Sequence, residues 1–289
     1  MISGVRGAVL AAVCTCLSIV AAQAGGDLVA LHTDGRLQPL ARFADGRWRA
    51  LEPAEEAVSG RQWTRWGADG SSSPIAIRRG ARPLRCDGAT AIETDRPGQN
   101  ARERDVALAT SGALRPTAAT RVDPDATVSK RLQPTIVRLF GDRQREQRLS
   151  AANVEQFPIV IDALFEATAA DRSHVYYFES SRSVPNAAQG LDPDADPIGT
   201  LRISVAGWLR ETDRRVVSLG TTSDLQWDQV DEQGRVRRQR GLTPIGVLQQ
   251  PTSMAWVMKG SEGRAASVAI YEVGRPRVQM TLRLPVARC

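Results

Sequence analysis

Lysine is almost missing from this chain of 289 residues: Lys130 and Lys259 are the only two, so the net charge of +6 is carried by arginine. Those arginines are spread along the sequence and mixed with acids, which argues against a nucleic-acid groove built from one basic face. The densest cluster, Gly234 to Gly241 (GRVRRQRG), is the one stretch that fits a phosphate or acidic glycan. Charge of that density also protects a solvated edge strand, and that reading is preferred. Histidine is equally scarce, with His32 and His174 far apart, which excludes a histidine-rich zinc site. Each fits a polar surface or strand-end position better than the role of a catalytic base. A P-loop, a dinucleotide glycine fingerprint, a G-x-S-x-G elbow and an S-x-x-K pair are all absent. No cofactor and no metal is expected on these grounds.

Aromatic residues make up only 5% of the chain. The aromatic girdles of an outer-membrane barrel are therefore hard to assemble, and the final alternating segment has no aromatic residue at all. Six of the aromatics are tryptophans. Trp208 and Trp256 lie in apolar runs and read as core. Trp63 and Trp66, close together in QWTRWG, are the pair best placed to stack on a sugar, although packing is the better expectation for them too.

What the chain does have begins at its start. Arg6 precedes an uncharged apolar run from Gly7 to Ala24 that ends Ala22-Gln23-Ala24, the small-x-small pattern of a signal-peptidase site. Residues 1–24 are thus expected to be a cleaved leader, and the mature protein periplasmic or secreted without a membrane anchor. Cleavage removes Arg6, the leader's only charge, and takes the net charge from +6 to +5. It also removes Cys14 and Cys16 from the four cysteines, leaving Cys86 and Cys289. In an oxidising compartment that pair is expected to form a disulfide. The ring it closes spans most of the mature chain, a contribution of up to about 5 kcal/mol by loop entropy.

Several segments alternate apolar and polar residues as half-buried strands do. In the last one, Val278, Met280, Leu282 and Leu284 share one face; in TLRISVAGWL, Leu201, Ile203 and Val205 do. His174–Ser181, Pro158–Ala167 and Pro134–Phe140 are rich in β-branched or aromatic residues and also read as strands. Asp34-Gly35 and Asp45-Gly46 are strong hairpin signals. The tetrapeptide RLQP occurs at Arg36–Pro39 and again at Arg131–Pro134, read as two similar strand-turn pieces rather than a repeat. A helix is expected around Arg143–Gln156, and Ala101–Val137 gives no clear pattern.

The fold class that follows is mainly β, an antiparallel meander or sandwich. One division places an N-terminal β unit at residues 25–132 and a C-terminal β domain at 133–289, with a small helical element. A single continuous domain over 25–289 fits nearly as well.

Two chemical possibilities need weighing. Asp192, Asp194 and Asp196 alternate as calcium ligands do, but Pro197 and Ile203 stand where an EF-type loop needs glycine and glutamate. Pro193 and Pro197 instead favour an extended spacer, as does the echo VDPDA at Val122–Ala126. Glycoside hydrolysis needs only two carboxylates, and Glu93 with Asp95, Glu103 with Asp105, or Asp224 with Asp228 would serve equally. No catalytic or ligand-binding residue stands out. The sequence therefore points to an exported binding module for a protein or glycan partner of the cell envelope. A secreted hydrolase acting on glycans or the cell wall through two carboxylates is the alternative.

Overall fold

The computed structural model describes residues 26–51, 61–67, 70–79, 81–86, 89–96, 106–146, 156–185, 200–213, 215–227, 229–230, 236–237, 241–250, 252–262, 265–274 and 276–286. The protein is mainly β, with antiparallel sheets. Eight strands form the first sheet: β1 (Asp27–Thr33), β2 (Arg36–Ala44), β3 (Arg47–Ala50), β4 (Trp63–Trp66), β5 (Ser72–Ile75), β6 (Leu84–Cys86), β7 (Ala89–Glu93) and β8 (Ala107–Ser111). Its order is β5-β4-β8-β1-β2-β7-β6, with β3 added to β2. Both Asp-Gly pairs turn the chain as expected. Asp34 and Gly35 have φ of 51° and 72°, and Asp45 and Gly46 have 52° and 72°. Two positive φ angles in succession make the tight turn whose twist matches its strands. An isolated bridge joins Ile77 to Thr94, so the sheet curls back on itself around Leu28, Ala30, Leu37, Trp63, Ile75 and Ala109.

Two short strands, β9 (Pro116–Thr117) and β10 (Thr120–Arg121), lead to helix α1 (Thr127–Glu146). A meander follows: β11 (Val160–Thr168), β12 (His174–Pro185), β13 (Thr200–Thr212) and β14 (Arg215–Trp227), with β10 beside β11. After a two-rung ladder of β15 (Gln229–Val230) and β16 (Val236–Arg237) comes the last sheet. It contains β17 (Thr243–Gln249), β18 (Met254–Glu262), β19 (Ala265–Val273) and β20 (Val278–Pro285), with β9 on its edge.

The sheets stack in layers because alternate residues of one strand serve two cores. Along β18, Ala255 and Val257 pack with Val29, Leu31, Leu40 and Leu108 of the first sheet. Met254, Trp256 and Met258 pack with Val175, Tyr177 and Trp208 of the meander. The meander's other face, including Tyr176, Phe178, Ile203 and Leu209, is covered by Leu132, Ile136, Leu139 and Phe140 of α1. The last sheet is therefore the middle layer. A direct tie to the first sheet is made by Gln38 Nε2, which donates to the Pro285 carbonyl at 2.7 Å.

Four expectations are corrected. Pro134–Phe140 is helix, not strand. Ser129, Leu132, Ile136, Leu139, Phe140 and Gln144 are its buried residues, a three-and-four spacing that outweighs the β-branched character of Thr135, Ile136 and Val137. The helix expected over Arg143–Gln156 coincides with α1 only at 143–146, and residues 147–155 lie outside those described. The two RLQP segments, read as similar pieces, are β2 in one case and α1 in the other, and Leu37 and Leu132 are both fully buried. In β20 the four apolar residues do not share a face. Ile270 pairs with Leu282 and Tyr271 with Met280, so Thr281 is the extra residue of a bulge. Val278 accordingly packs toward the meander and Leu282 and Leu284 toward the first sheet, while Met280 is exposed.

Gly207 marks the closest approach in the meander. A Cβ there would lie 2.6 Å from the Gly220 carbonyl oxygen and 2.8 Å from Thr221 Cγ2. The oxygen belongs to the backbone of the paired strand and has nowhere to move. Gly207→Ala is expected to cost about 1–3 kcal/mol, read as a lower urea midpoint at unchanged m-value; a midpoint within error of the parent would show that β14 gives way freely.

Candidate functional site

Pairing of β11, β12 and β13 gathers ionisable groups on both faces of the meander. Toward α1, the register sets Glu166 opposite Tyr176 and His174 opposite Glu211. His174 Nδ1 lies 2.5 Å from Glu166 Oε1. The Tyr176 hydroxyl donates to Glu211 Oε2 at 2.9 Å, and Arg131 Nη2, from α1, donates to the same oxygen at 2.8 Å. Burial pushes the Tyr176 phenol well above its ordinary value; the Glu211 bond and the charges of Glu166 and Glu211 add to this, and Arg131 opposes it.

Toward the last sheet lies a second group. Asp162 is the extra residue of a bulge between Ile161 and Ala163, and it accepts from Arg202 Nη2 at 2.9 Å. Glu179 Oε1 accepts two bonds of 2.6 Å, from the Tyr177 hydroxyl and the Leu242 amide. Burial raises the Glu179 carboxyl above its usual value and Asp162 raises it further; Tyr177, Leu242 and Arg202 pull it down. Gly241 lies against this carboxylate, because a Cβ there would be 1.7 Å from Glu179 Oε2. A larger residue at this position would have to displace the Glu179 carboxylate from its present place.

The raised Glu179 carboxyl makes stability pH-dependent. Above its folded pKa the group is charged in both states and folding bears the whole burial penalty. As pH falls toward the unfolded value of about 4.3, the native state binds the proton first, so this group's contribution to stability rises. Glu179→Gln keeps an acceptor for Tyr177 and Leu242 and is expected to remove that acid-side gain. Urea midpoints of parent and variant across this range test it; parallel curves would mean that Glu179 is not the group responsible.

Between the meander and the last sheet a third group consists of donors. Trp208 and Arg210 occupy alternate positions of β13 and so share a face. The Trp208 ring lies 4.8 Å from that of Tyr177 and 4.7 Å from that of Tyr271, and Tyr271 pairs directly with Trp256. Trp208 Nε1, Trp256 Nε1 and Arg210 Nε and Nη1 are buried without a hydrogen-bond partner among the described residues.

The residues singled out from sequence are placed as follows. His32 is buried rather than at the surface, with Nε2 3.2 Å from Thr94 Oγ1, which itself donates to the Gly35 carbonyl. His174 stands at the start of β12, as expected of a strand-end residue. Trp63, Trp208 and Trp256 are core, and Trp66 Nε1 donates to Thr110 Oγ1 at 2.9 Å. Glu93 faces Arg78 at 3.4 Å and Asp95 accepts from the Ala76 amide, so these two acids serve separate local contacts. VDPDA is not a spacer but the turn that opens α1, with Asp123 accepting from the Asp125 amide at 2.8 Å. Cys86 ends β6; its side chain and Cys289 lie outside the described residues, as do residues 1–24, Glu103, Asp105, Asp192, Asp194, Asp196 and Asp228. From the arginine cluster, Gly241 and the backbone of Val236 and Arg237 are described.

Among the described residues no three His, Cys, Asp or Glu side chains converge as a metal site, and no helix is long and apolar enough to cross a membrane. Sequence reasoning missed Glu166, Glu211, Asp162, Glu179, Arg202 and Arg210. Alternation in HVYYFESS does place Tyr177 and Glu179 on one face, but their partners depend on strand register. The class these observations define is a layered antiparallel β protein with one covering helix. No family model, curated protein or solved structure matches the chain.

Proposed function

We propose that this chain is an exported binding module of the bacterial envelope, periplasmic or secreted, that engages a protein or glycan partner. The observation that carries the reading is an asymmetry in what the polar groups already hold. The carboxylates of the meander are engaged within the chain: Glu166 by His174, Glu211 by Tyr176 and Arg131, Asp162 by Arg202, Glu179 by Tyr177 and Leu242. The buried donors of Trp208, Trp256 and Arg210 lack acceptors among the described residues. Unmet donors beside stacked aromatic rings are what a ligand rich in acceptors satisfies. The test is thermal unfolding of the oxidised mature protein against envelope glycans, with chemical crosslinking to envelope proteins in parallel. A ligand that binds the native state raises the midpoint. A flat response to every glycan together with no discrete crosslinked partner would overturn the proposal.

One observation favours a hydrolase as the second reading. Glu179 is shifted toward its protonated form beside Asp162, which Arg202 holds by an ion pair. A carboxyl shifted toward its protonated form near a second acidic side chain is the pairing that glycoside cleavage uses. New reducing ends from purified peptidoglycan, lost in Glu179→Gln, would replace the binding reading with this one.

A further inference from the structure

The unmet groups of Trp208, Trp256 and Arg210 among the described residues are all donors, and one of them is cationic. Arg210 retains only 7% of its surface and Trp208 5%, so water reaches neither freely. A buried donor without an acceptor is costly, and a buried guanidinium without a counter-charge more so. A sugar hydroxyl or an amide would supply an acceptor but leave the charge unbalanced. The strand neighbours of Arg210 are Val175 on β12 and Val217 on β14, so one cation stands there without a second beside it in the ladder. That suits a singly charged carboxylate rather than a doubly charged phosphate. The rings of Trp208, Tyr177 and Tyr271 pack on one another beside these donors, an aromatic surrounding that suits a flat or apolar remainder.

We propose that Arg210 and Trp208 form a subsite for the carboxylate of a ligand whose attached group packs on these rings. The proposal rests on the binding-module reading and adds the chemical class of what is bound. It is tested on the oxidised mature protein carrying 15N in arginine and tryptophan, titrated with sodium benzoate, benzamide or inorganic phosphate. Benzoate is expected to shift the Arg210 Nε–H and Trp208 indole resonances saturably. Benzamide is expected to need at least tenfold higher concentration, and phosphate to give no saturation. Arg210→Met should abolish the benzoate response while the Trp208 indole resonance keeps the dispersion of a folded core. No saturable shift with benzoate, an equal response to benzamide, or saturation that survives in Arg210→Met would each overturn the subsite. Phosphate saturating as well as benzoate would overturn the carboxylate class. An envelope ligand that still raises the midpoint of Arg210→Met would remove this subsite and leave the binding-module reading standing.

Discussion

Arg210→Met is expected to unfold at a higher temperature and urea concentration than the parent protein. Removing a buried side chain from a core normally destabilises, so the sign is the test. Arg210 Nε and Nη1 have no acceptor among the described residues, and a methionine of similar length fills the space without a charge to desolvate. The gain is about 1–3 kcal/mol, or about 2–4 °C for each kcal/mol at this size. Arg182 provides the matched control. It is buried to a similar degree, but its Nη1 donates to Gln144 Oε1 at 2.8 Å and its guanidinium lies 5.4 Å from the centre of the Phe140 ring. Arg182→Met would remove the donor to Gln144 Oε1 and give up the cation–π contact, so it is expected to lose stability. Opposite signs for the same substitution would show that Arg210 is held against the interest of stability, as ligand-binding residues are. A loss of 1 kcal/mol or more in Arg210→Met, measured by urea unfolding, would show instead that the fold itself uses the guanidinium.

Local signals carried the strands and turns of this fold. Asp34-Gly35 and Asp45-Gly46 specify their turns through residues that tolerate positive φ, a property of the tetrapeptide alone. Leu201, Ile203 and Val205 face one core because strand periodicity is two wherever no bulge intervenes. The failures occur where tertiary context decides. RLQP is strand at Arg36 and helix at Arg131 because Leu37 and Leu132 are drawn into different cores. Thr281 gives no local sign of a bulge; its hydroxyl donates to the Ile270 carbonyl only once β19 lies alongside. The candidate site was hidden for the same reason. Arg131, Glu166, Tyr176 and Glu211 are spread over 80 residues, and a register shifted by one would send half of them to the opposite face.

Trp256→Ala is expected to produce the largest loss, about 3–5 kcal/mol, and to lower one unfolding transition rather than one of two. Trp256 is fully buried in the centre of β18, between the paired Tyr271 on β19 and Val247 on β17. Its side chain belongs to the core shared with the meander. The adjacent Ala255 and Val257 belong to the core shared with the first sheet. Loosening β18 therefore weakens both interfaces of the middle layer, and the first sheet cannot separate without exposing Leu248, Val257, Val268 and Ile270 to water. The resulting drop in midpoint is on the order of 10 °C. Calorimetry read beside near-ultraviolet circular dichroism checks it: a single displaced transition, coincident by both probes, is the expected result. Two transitions, with only the upper or the lower one moved by Trp256→Ala, would mean that the first sheet is stable alone and that its contact with β18 is an interface between two separately folding units.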